Sequence, residues 1–204
     1  MKEKGIYLYG AGGHAKVIMD IVEASGHRVA GIIDDNPEQT AFMGHPVMHE
    51  WTGHGEVIVS IGLNAVRRKV SEQIALQAGT VFGKAIHPTA ILSPSAVIGE
   101  GTVVMQGSIL QSCVQTGRHC IVNTGASIDH DCILGDFVHV SPHATLCGNV
   151  TVGEETWIGA GAVVIPGIRI GKGCLIGAGA VVCKDIPDHV VAYGNPCRII
   201  KDLK

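Results

Sequence analysis

The chain has 204 residues, a formal net charge of −3, 28 glycines and only 4% aromatic residues. A general nucleic-acid binder normally has a basic face. Because the net charge of this chain is negative, we expect no nucleic-acid partner. A hydrophobic fraction of 46% against 16% charged residues excludes a disordered chain, and the scarcity of aromatic residues argues against a conventional core.

The chain starts MKEKGIYLYGAGGHAK, without the apolar core and small-residue cleavage site of a signal peptide. No apolar stretch approaches the roughly 20 residues that are needed to cross a bilayer. The seven cysteines form no C-x-x-C pairs, so they indicate neither a disulfide framework nor a zinc site. We therefore expect a cytoplasmic protein with no membrane partner and no bound metal.

Residues 1–82 predict a small α/β domain. Buried strands are predicted over 5–10, 27–34 and 56–62, and helices over 13–25 and 64–78. Strand–helix–strand alternation of this length predicts a Rossmann-like parallel sheet. Residues 36–55 are predicted to form loops.

The turn after the first strand, residues 10–15, reads GAGGHA and fits G-x-G-x-x-A. Glycines let backbone N–H groups approach a phosphate, and the N-terminus of the following helix favours an anion. The domain is short for the two-part fold that a dinucleotide spans, which favours a mononucleotide or a nucleotide-sugar. NAD binding and a glycine turn that serves only packing are the alternatives.

A six-residue period fills residues 83–204, the predicted second domain. Every sixth residue from Ile86 to Val182 is aliphatic except Thr116, and a small or modest side chain precedes many of them by two positions. Residues two apart share one face of a strand, so both are predicted to point inward. Glycine follows many of the aliphatic residues directly and is predicted to permit a bend. Three repeats then form a triangular coil, and stacked coils form a solenoid.

This repeat resembles that of the hexapeptide-repeat acyltransferases, which implies a left-handed parallel β-helix. The segments YGAGGHAK, IIDDN, SIGLNAVRRK, NTGASIDHD, GDFVHVSPHA and GNPCRI occur in the order found in PglD/NeuD-like sugar acetyltransferases. The similarity covers nearly the whole chain. It implies transfer of an acetyl group from acetyl-CoA to the amino group of a nucleotide-activated sugar, in particular a UDP-linked amino-deoxy sugar, for surface glycan synthesis. O-acetylation of sialic acid or another sugar is the nearest alternative.

The resemblance also implies which residues contact the nucleotide-sugar. They are Gly12, Gly13, His14, Asp34, Asp35, Gly62, Asn64 and Arg67. The two aspartates would accept hydrogen bonds from ribose hydroxyls or from the uracil N–H rather than contact phosphate.

Acetyl transfer needs a base, because the acceptor amine or hydroxyl loses a proton as it attacks, and histidine suits that task near neutral pH. Among eleven histidines, His130 lies at a corner, two residues after the inward Ile128 and beside Asp131. From the residues alone, a solvated corner pair is the alternative. The resemblance implies that His130 is the general base and that Asp131, where the family often has Glu, supports it.

Five residues are predicted to contact acetyl-CoA: Asn123, His139, Gly148, Ala160 and Ala178. His139 precedes the inward Val140, so it is expected to project outward from a flat face, and it matches a family histidine that contacts acetyl-CoA. Gly148 lies one coil beyond His130 on the same corner, and its N–H is expected to face the thioester oxygen. Ala160 and Ala178 form a column of small residues, whose alternative role is to permit bending.

His130 and His139 lie half a coil apart, so a single prism is expected to present them on opposite sides. This predicts a homotrimer with an active site in each cleft between subunits. Two rival functions use the same fold. A metal-dependent hydratase of the γ-carbonic-anhydrase type would need His119, His139 and His143 to converge between subunits, and a sugar-nucleotide sensor would bind its ligand without catalysis.

Overall fold

The structure, a computed structural model, describes residues 5–203. A mixed α/β domain is followed by a parallel β-solenoid, which confirms the predicted fold class. No helix within the described range is long and apolar enough to cross a membrane.

The N-terminal domain is a six-stranded sheet with two helices. Its elements are β1 (Gly5–Tyr9), α1 (Gly13–Ala24), β2 (Arg28–Ile33), β3 (Ala41–Phe42), β4 (His45–Met48), β5 (Gly55–Val59), α2 (Asn64–Ala75) and β6 (Thr80–Phe82). The strand order is β3-β4-β2-β1-β5-β6, and only the β3–β4 pair is antiparallel. The predicted strands and helices are confirmed, with ends that differ by up to three residues.

Two features of this domain were not predicted. The segment 36–55, expected to be loops, contains the β3–β4 hairpin, whose second strand extends the sheet by pairing with β2. The edge strand β6 pairs with β5. Both hairpin strands are short, and Pro46 interrupts the hydrogen-bonding pattern, so neither strand shows a clear alternation of polar and apolar residues.

Within the described residues, the solenoid has three sheets whose strands run parallel, except for the last strand. The largest, here called the covered sheet, contains β7 (Ala85–Ile86), β9 (Val103–Val104), β12 (Ile121–Val122), β15 (His139–Val140), β18 (Trp157–Ile158), β21 (Leu175–Ile176), β23 (Val190–Tyr193) and β24 (Arg198–Asp202). The six-stranded sheet contains β8 (Ile91–Leu92), β10 (Ile109–Leu110), β13 (Ser127–Ile128), β16 (Thr145–Leu146), β19 (Val163–Val164) and β22 (Val181–Val182). The four-stranded sheet contains β11 (Gln115–Thr116), β14 (Ile133–Leu134), β17 (Thr151–Val152) and β20 (Arg169–Ile170).

The pairing register gives the coil its length. Ile109 pairs with Ser127 and Ile121 pairs with His139, so equivalent residues on adjacent coils lie eighteen positions apart. Ile128 and Ala126, two positions apart, are both fully buried, which confirms the inward direction predicted for each such pair. The interior is therefore a narrow column of Val, Ile, Leu, Ala and Cys side chains.

The corners correct one prediction about glycine. Every sixth residue from Gly101 to Gly179 has a positive φ, and this position lies three residues after the inward aliphatic residue, not directly after it. The glycines that directly follow the aliphatic residues serve close approach instead. A Cβ on Gly153 would lie 2.5 Å from the Lys172 backbone nitrogen on the next coil. These glycines let the coils stack at van der Waals distance.

The N-terminal domain packs on the outward face of the covered sheet. Helix α1 buries Ile18 and Ile21 in a cluster that also contains Val103 and Ile121 of the solenoid. One coil further along the same outward column come His139 and then Trp157. The apolar part of the column therefore lies under α1, and its polar and aromatic part lies at the edge of the domain interface.

The covered sheet ends in a change of direction. Strand β23 continues the parallel ladder on β21, but β24 returns antiparallel to β23 and forms the edge of the sheet. The last parallel strand of this ladder is thereby paired on its outer side.

Candidate functional site

A cavity of about 440 Å³ lies where the strand order of the N-terminal sheet reverses. It is lined by the turn after β1 (residues 10–14), by Asp34 after β2, by residues 60–63 after β5 and by Trp157 of the solenoid. The carboxyl ends of parallel strands at such a switch point are the usual ligand site of an open α/β sheet. The wall provided by Trp157 means that both domains form this cavity.

The glycines of the turn have different roles. Gly10 has a φ of +112°, and a Cβ there would lie 2.8 Å from the Ile61 Cγ1, so the backbone requires glycine. Beyond their chain neighbours and the backbone of α1, no atom of the described residues lies within 4 Å of where a Cβ of Gly12 or Gly13 would stand, so their missing side chains leave open space at the cavity. This is where a ligand can approach the backbone.

Two helices begin at this cavity. Helix α1 begins at Gly13 and α2 begins at Asn64, and no side chain within residues 5–203 caps either N-terminus by a hydrogen bond. Their first N–H groups therefore remain available, and the positive ends of both helix dipoles lie at the same cavity. Such an arrangement favours an anionic group such as a diphosphate.

The two aspartates after β2 are held differently. Asp34 lines the cavity, and its carboxylate accepts hydrogen bonds from the backbone N–H groups of Ala11 (2.7 Å) and Asn36 (2.9 Å). Asp35 is exposed beside it and accepts a hydrogen bond from the Tyr9 hydroxyl at 2.5 Å. Asp34 therefore shapes the glycine turn while presenting a carboxylate edge to the cavity.

Arg67 does not have the predicted role of a nucleotide-sugar contact. It is 1% exposed, and all five N–H groups of its guanidinium are used within the chain. Asn64 is also engaged at both ends of its amide, because its Oδ1 accepts from Arg67 (2.8 Å) and its Nδ2 donates to the Glu155 carbonyl (2.9 Å). The prediction is corrected: Arg67 has no donor left for a ligand, and both side chains join the two domains.

The surroundings of His139 differ from those expected for an outward-facing residue of the solenoid. It does project from the flat face of the solenoid, but the N-terminal domain covers that face and leaves it 5% exposed. Its ring stacks on Trp157 with centroids 4.7 Å apart, and its Nε2 lies 3.1 Å from the Asn123 Nδ2. Burial, reinforced by the charges of Arg67 and His14, lowers the pKa of His139 to about 3. The ring is therefore neutral at physiological pH.

His14 shares this environment at the start of α1. Burial and the nearby Arg67 charge lower its pKa to about 4. Its Nε2 and the Nδ1 of His139 are buried and accept or donate no hydrogen bond among the residues that the structure describes. Two neutral imidazoles thus retain an unused polar atom each beside the cavity that both domains line.

His130 lies at the corner between the six-stranded and four-stranded sheets, away from the covered sheet. Its Nδ1 is 2.8 Å from the Asp131 Oδ2, and both side chains are exposed. The hydrogen bond to Asp131, together with the charge of Asp129, raises the pKa of His130 above its ordinary value. Asp131 has a φ of +59°, which turns its short side chain back towards the imidazole.

Gly148 lies directly against His130. A Cβ on Gly148 would stand 2.5 Å from the His130 Nε2, so the absence of a side chain lets the ring lie over the next coil. The predicted stacking of these two positions on one corner is confirmed. Glutamate at position 131 is not required for the contact with His130, since the aspartate reaches it at 2.8 Å.

Three corner N–H groups take no part in the ladder of hydrogen bonds. Within residues 5–203, the N–H groups of Gly148, Ala160 and Ala178 donate to no acceptor. Proline occupies the equivalent corner position one coil before Ala160, at Pro142, and one coil after Gly148, at Pro166. Since proline has no N–H, this repeat position does not need one for folding. Ala160 and Ala178 are exposed, so their N–H groups are free to bind a ligand, whereas Gly148 is buried beside the His130 ring.

The two other corner histidines considered in the sequence, His119 and His143, have different environments. His119 is 3% exposed and stacks on Phe137 with centroids 5.2 Å apart, under helix α2. His143 is exposed at a corner over Gly125. No group of three metal-binding side chains is brought together in the part of the chain that the structure describes.

Sequence reasoning missed Trp157. It is one of only two tryptophans and stands at an outward position of a strand, where the repeat pattern gives no reason for a large aromatic ring. Its indole N–H donates to the Ser141 hydroxyl at 2.7 Å, which fixes the ring against His139 and the cavity. The sequence feature that could have identified Trp157 is a large aromatic residue at an outward position of the repeat.

Comparisons with known proteins match both halves of the chain. Residues 5–74 match the PglD N-terminal domain, and residues 149–184 match the bacterial transferase hexapeptide of six repeats. A segment of 117 residues is 42% identical to a UDP-N-acetylbacillosamine N-acetyltransferase of Bacillus subtilis. That segment covers 50% of this chain and spans about half (51%) of the relative.

Solved structures match over nearly the full length. PerB from Caulobacter crescentus, crystallised with CoA and GDP-perosamine, is 40% identical, with 97% of each chain covered and a TM-score of 0.91. The acetyltransferase domain of PglB from Neisseria gonorrhoeae, in complex with acetyl coenzyme A, is 38% identical. That match covers 98% of this chain and 100% of the other, with a TM-score of 0.89.

Proposed function

The chain belongs to the family of PglD-type acetyltransferases, in which a PglD N-terminal domain precedes a hexapeptide-repeat acetyltransferase solenoid, and from this we propose that it acetylates the amino group of a nucleotide-activated sugar with acetyl-CoA. The observation that carries the proposal is the His130–Asp131 pair, a base with raised pKa, exposed above the free N–H of Gly148.

The cavity at the sheet switch point would hold the nucleotide-sugar. Its diphosphate would approach Gly12 and Gly13 and the uncapped starts of α1 and α2, where N–H groups are available. Asp34, Asp35, Gly62 and His14 would contact the nucleoside and sugar, with the carboxylates accepting from hydroxyl or base N–H groups. We favour a UDP-linked amino-deoxy sugar, as used by the Bacillus subtilis relative named above, and treat a GDP-linked sugar as the competing substrate.

The chemistry is direct transfer. The substrate amine attacks the thioester carbonyl carbon, and His130 accepts the proton that the nitrogen loses. The N–H of Gly148 stabilises the negative charge that develops on the carbonyl oxygen. The C–S bond then breaks, and the CoA thiolate takes the proton from His130, which returns the base to its starting state. Asp131 favours the imidazolium that forms between these steps.

Acetyl-CoA would lie along the corner column of small residues. Ala160 and Ala178 are exposed, carry free N–H groups and stand one coil apart, so an extended pantetheine arm can bond to both. Asn123 and His139 lie on the covered sheet beside that column. The co-substrate supplies an activated acetyl group, so no metal is needed in this scheme.

We further propose a homotrimer. Within one chain, His130 stands at a corner away from the covered sheet, whereas the cavity opens on that sheet beside Trp157. A neighbouring prism that places its His130 against this cavity would complete the site. A cytoplasmic location is part of the same proposal, because all seven cysteines are free thiols.

The test is CoA release from the purified chain with acetyl-CoA and a panel of UDP- and GDP-linked sugars. Each amino sugar is paired with the sugar that carries a hydroxyl in place of the amine. We expect release with the amino sugars alone and a loss of roughly 10²–10⁴-fold in kcat for His130→Asn. Transfer to the hydroxyl sugars would establish an O-acetyltransferase, ligand binding without CoA release a sensor, and stoichiometric zinc a hydratase. Each of these results would overturn the proposal.

A further inference from the structure

Arg67 is a fully satisfied arginine at the junction of the two domains. Its Nε donates to the His119 carbonyl (2.9 Å), and one Nη2 hydrogen goes to the Phe137 carbonyl (2.9 Å). The Nη1 donates to the carbonyls of Ile61 and Gly62, both at 3.0 Å. The remaining Nη2 hydrogen goes to Asn64. One guanidinium therefore holds both domains through five hydrogen bonds.

The solenoid acceptors form a regular column. His119, Phe137 and Glu155 occupy the same corner position on three successive coils, and all three have a positive φ. Arg67 bonds to the first two of these carbonyls, and Asn64 bonds to the third at 2.9 Å. Two side chains from the first turn of α2 thus contact three consecutive coils, which fixes the helix both along and across the solenoid.

The other acceptors belong to the cavity. Ile61 and Gly62 form its rim after β5, and the neighbouring Ser60 hydroxyl donates to the Gly10 carbonyl at 2.7 Å. A continuous set of bonds therefore leads from the solenoid through Arg67 to the glycine turn. The opposite wall is Trp157, which belongs to the solenoid itself. The spacing between the two walls depends on this connection.

Arg68 is a useful comparison with Arg67, because it joins the two domains but does not hold the rim of the cavity. It also bridges α2 and the solenoid, through ion pairs with Glu154 (3.3 Å) and Glu155 (3.1 Å). Its side chain is one-third exposed, and it has no bond to the cavity rim. Surface ion pairs of this kind contribute little, whereas a buried donor network holds its acceptors in fixed positions.

We propose that Arg67 is a positioning residue that sets the affinity for the nucleotide-sugar by holding the rim formed by Ile61 and Gly62 at a fixed distance from Trp157, without contacting the ligand. This inference rests on the function proposed above. It assigns Arg67 to the nucleotide half of the site, so that acetyl-CoA binding is independent of it.

The experiment compares Arg67→Lys with Arg68→Met. Lysine keeps the positive charge but offers three donors from one atom, so it cannot bond to both the cavity rim and the coil carbonyls. We expect the Kd for UDP or GDP, measured by calorimetry, and the KM for the nucleotide-sugar to rise about tenfold, the usual scale for losing buried charged hydrogen bonds. The Kd for CoA and the KM for acetyl-CoA should stay within about twofold.

Arg68→Met should leave all four constants within about twofold, although it also removes bonds between the domains. Asn64→Ala, which keeps the four carbonyl contacts of Arg67, should give a smaller change in the same direction and replaces Arg67→Lys if that variant does not fold. The inference is wrong if nucleotide affinity is unchanged in the folded variant, if both ligands weaken together, or if Arg68→Met has the same effect. A wild-type chain that binds no nucleotide would instead contradict the proposed function.

Discussion

The residues at the candidate site divide into those that the repeat arithmetic could place and those that it could not. The eighteen-residue spacing predicts that Gly148 stacks on His130. In the structure, a Cβ on Gly148 would lie 2.5 Å from the His130 Nε2. The family resemblance implies Arg67 as a ligand contact, because Arg67 lies at the same loop–helix junction as Gly62. Nothing local in the sequence signals that two of its five hydrogen bonds go to carbonyl oxygens more than fifty residues away.

The contact between His130 and Asp131 predicts a specific pH dependence. Only the neutral imidazole can accept a proton, so activity is lost as the pH falls through the raised pKa of His130. In Asp131→Asn the carboxylate charge is gone, so the pKa of His130 should fall and the acidic limb of kcat/KM should move to lower pH. A pH profile of both proteins measures this shift. An acidic limb that stays in place would mean that His130 does not titrate as the base.

At the scale of strands and corners, the six-residue period was sufficient to predict the solenoid, because inward pairs such as Ala126 and Ile128 repeat without a change of phase. The period could not distinguish two kinds of glycine. Positive φ occurs at every sixth residue and is tolerated there by His, Asp, Asn and others, whereas close stacking requires glycine at a different position. The β3–β4 hairpin escaped prediction because its strands, of two and four residues, are too short to show a periodicity of their own.

This distinction predicts unequal effects of two glycine substitutions. Gly153→Ala places a methyl group 2.5 Å from the Lys172 nitrogen on the next coil, and the coils would have to separate. Gly167→Asn faces open space and introduces only left-handed backbone strain, at a position type where Asn149 already occurs. We expect Gly153→Ala to lose about 3 kcal/mol of unfolding free energy or more, and Gly167→Asn about 1 kcal/mol. Chemical denaturation measures both, and equal losses would contradict the assignment.

At the scale of the whole molecule, most of the contacts that the sequence did not predict lie at the interface between the two domains. The outward column of the covered sheet runs from Val103 and Ile121 under α1 to His139 and Trp157 at the cavity. A repeat pattern indicates that these side chains leave the prism, but it cannot indicate that another domain covers them. The burial of His139 therefore follows from docking of the domains.

That docking makes the protein sensitive to acid. His14, His119 and His139 have pKa values lowered to about 4, 4 and 3, mainly by burial. Below the ordinary histidine pKa of about 6.5, the unfolded chain binds these protons and the folded chain does not, so stability falls as the pH drops from about 6.5 towards 4. Each histidine contributes up to about 1.4 kcal/mol per pH unit.

Thermal unfolding between pH 7.5 and 5 tests this effect. His119→Gln removes one of the buried groups and should flatten the dependence of Tm on pH. His143→Gln, at an exposed corner, is the matched control and should keep the slope of the unsubstituted chain. If His119→Gln also keeps that slope, burial of His119 does not contribute to the acid sensitivity.

The proposed trimer predicts complementation between two inactive chains. His130→Ala lacks the base, and Gly12→Leu fills the open space at the cavity while keeping the extended backbone of that residue. Each should be inactive alone. Co-expressed in mixed trimers, a Gly12→Leu chain supplies His130 to the intact cavity of its neighbour, so activity should return. Light scattering should give three times the 21.3 kDa of one chain. Mixed assemblies that remain inactive would place each site within a single chain.

The antiparallel strand β24 at the edge of the covered sheet has a consequence for assembly. A parallel ladder of identical coils is a template on which another molecule could continue the same ladder end to end. Because β24 reverses direction and pairs with β23, an incoming coil would meet a strand of the wrong polarity. The fold thereby resists growth into filaments along the solenoid axis at this edge, which leaves the sides of the prism for the subunit contacts of the proposed trimer.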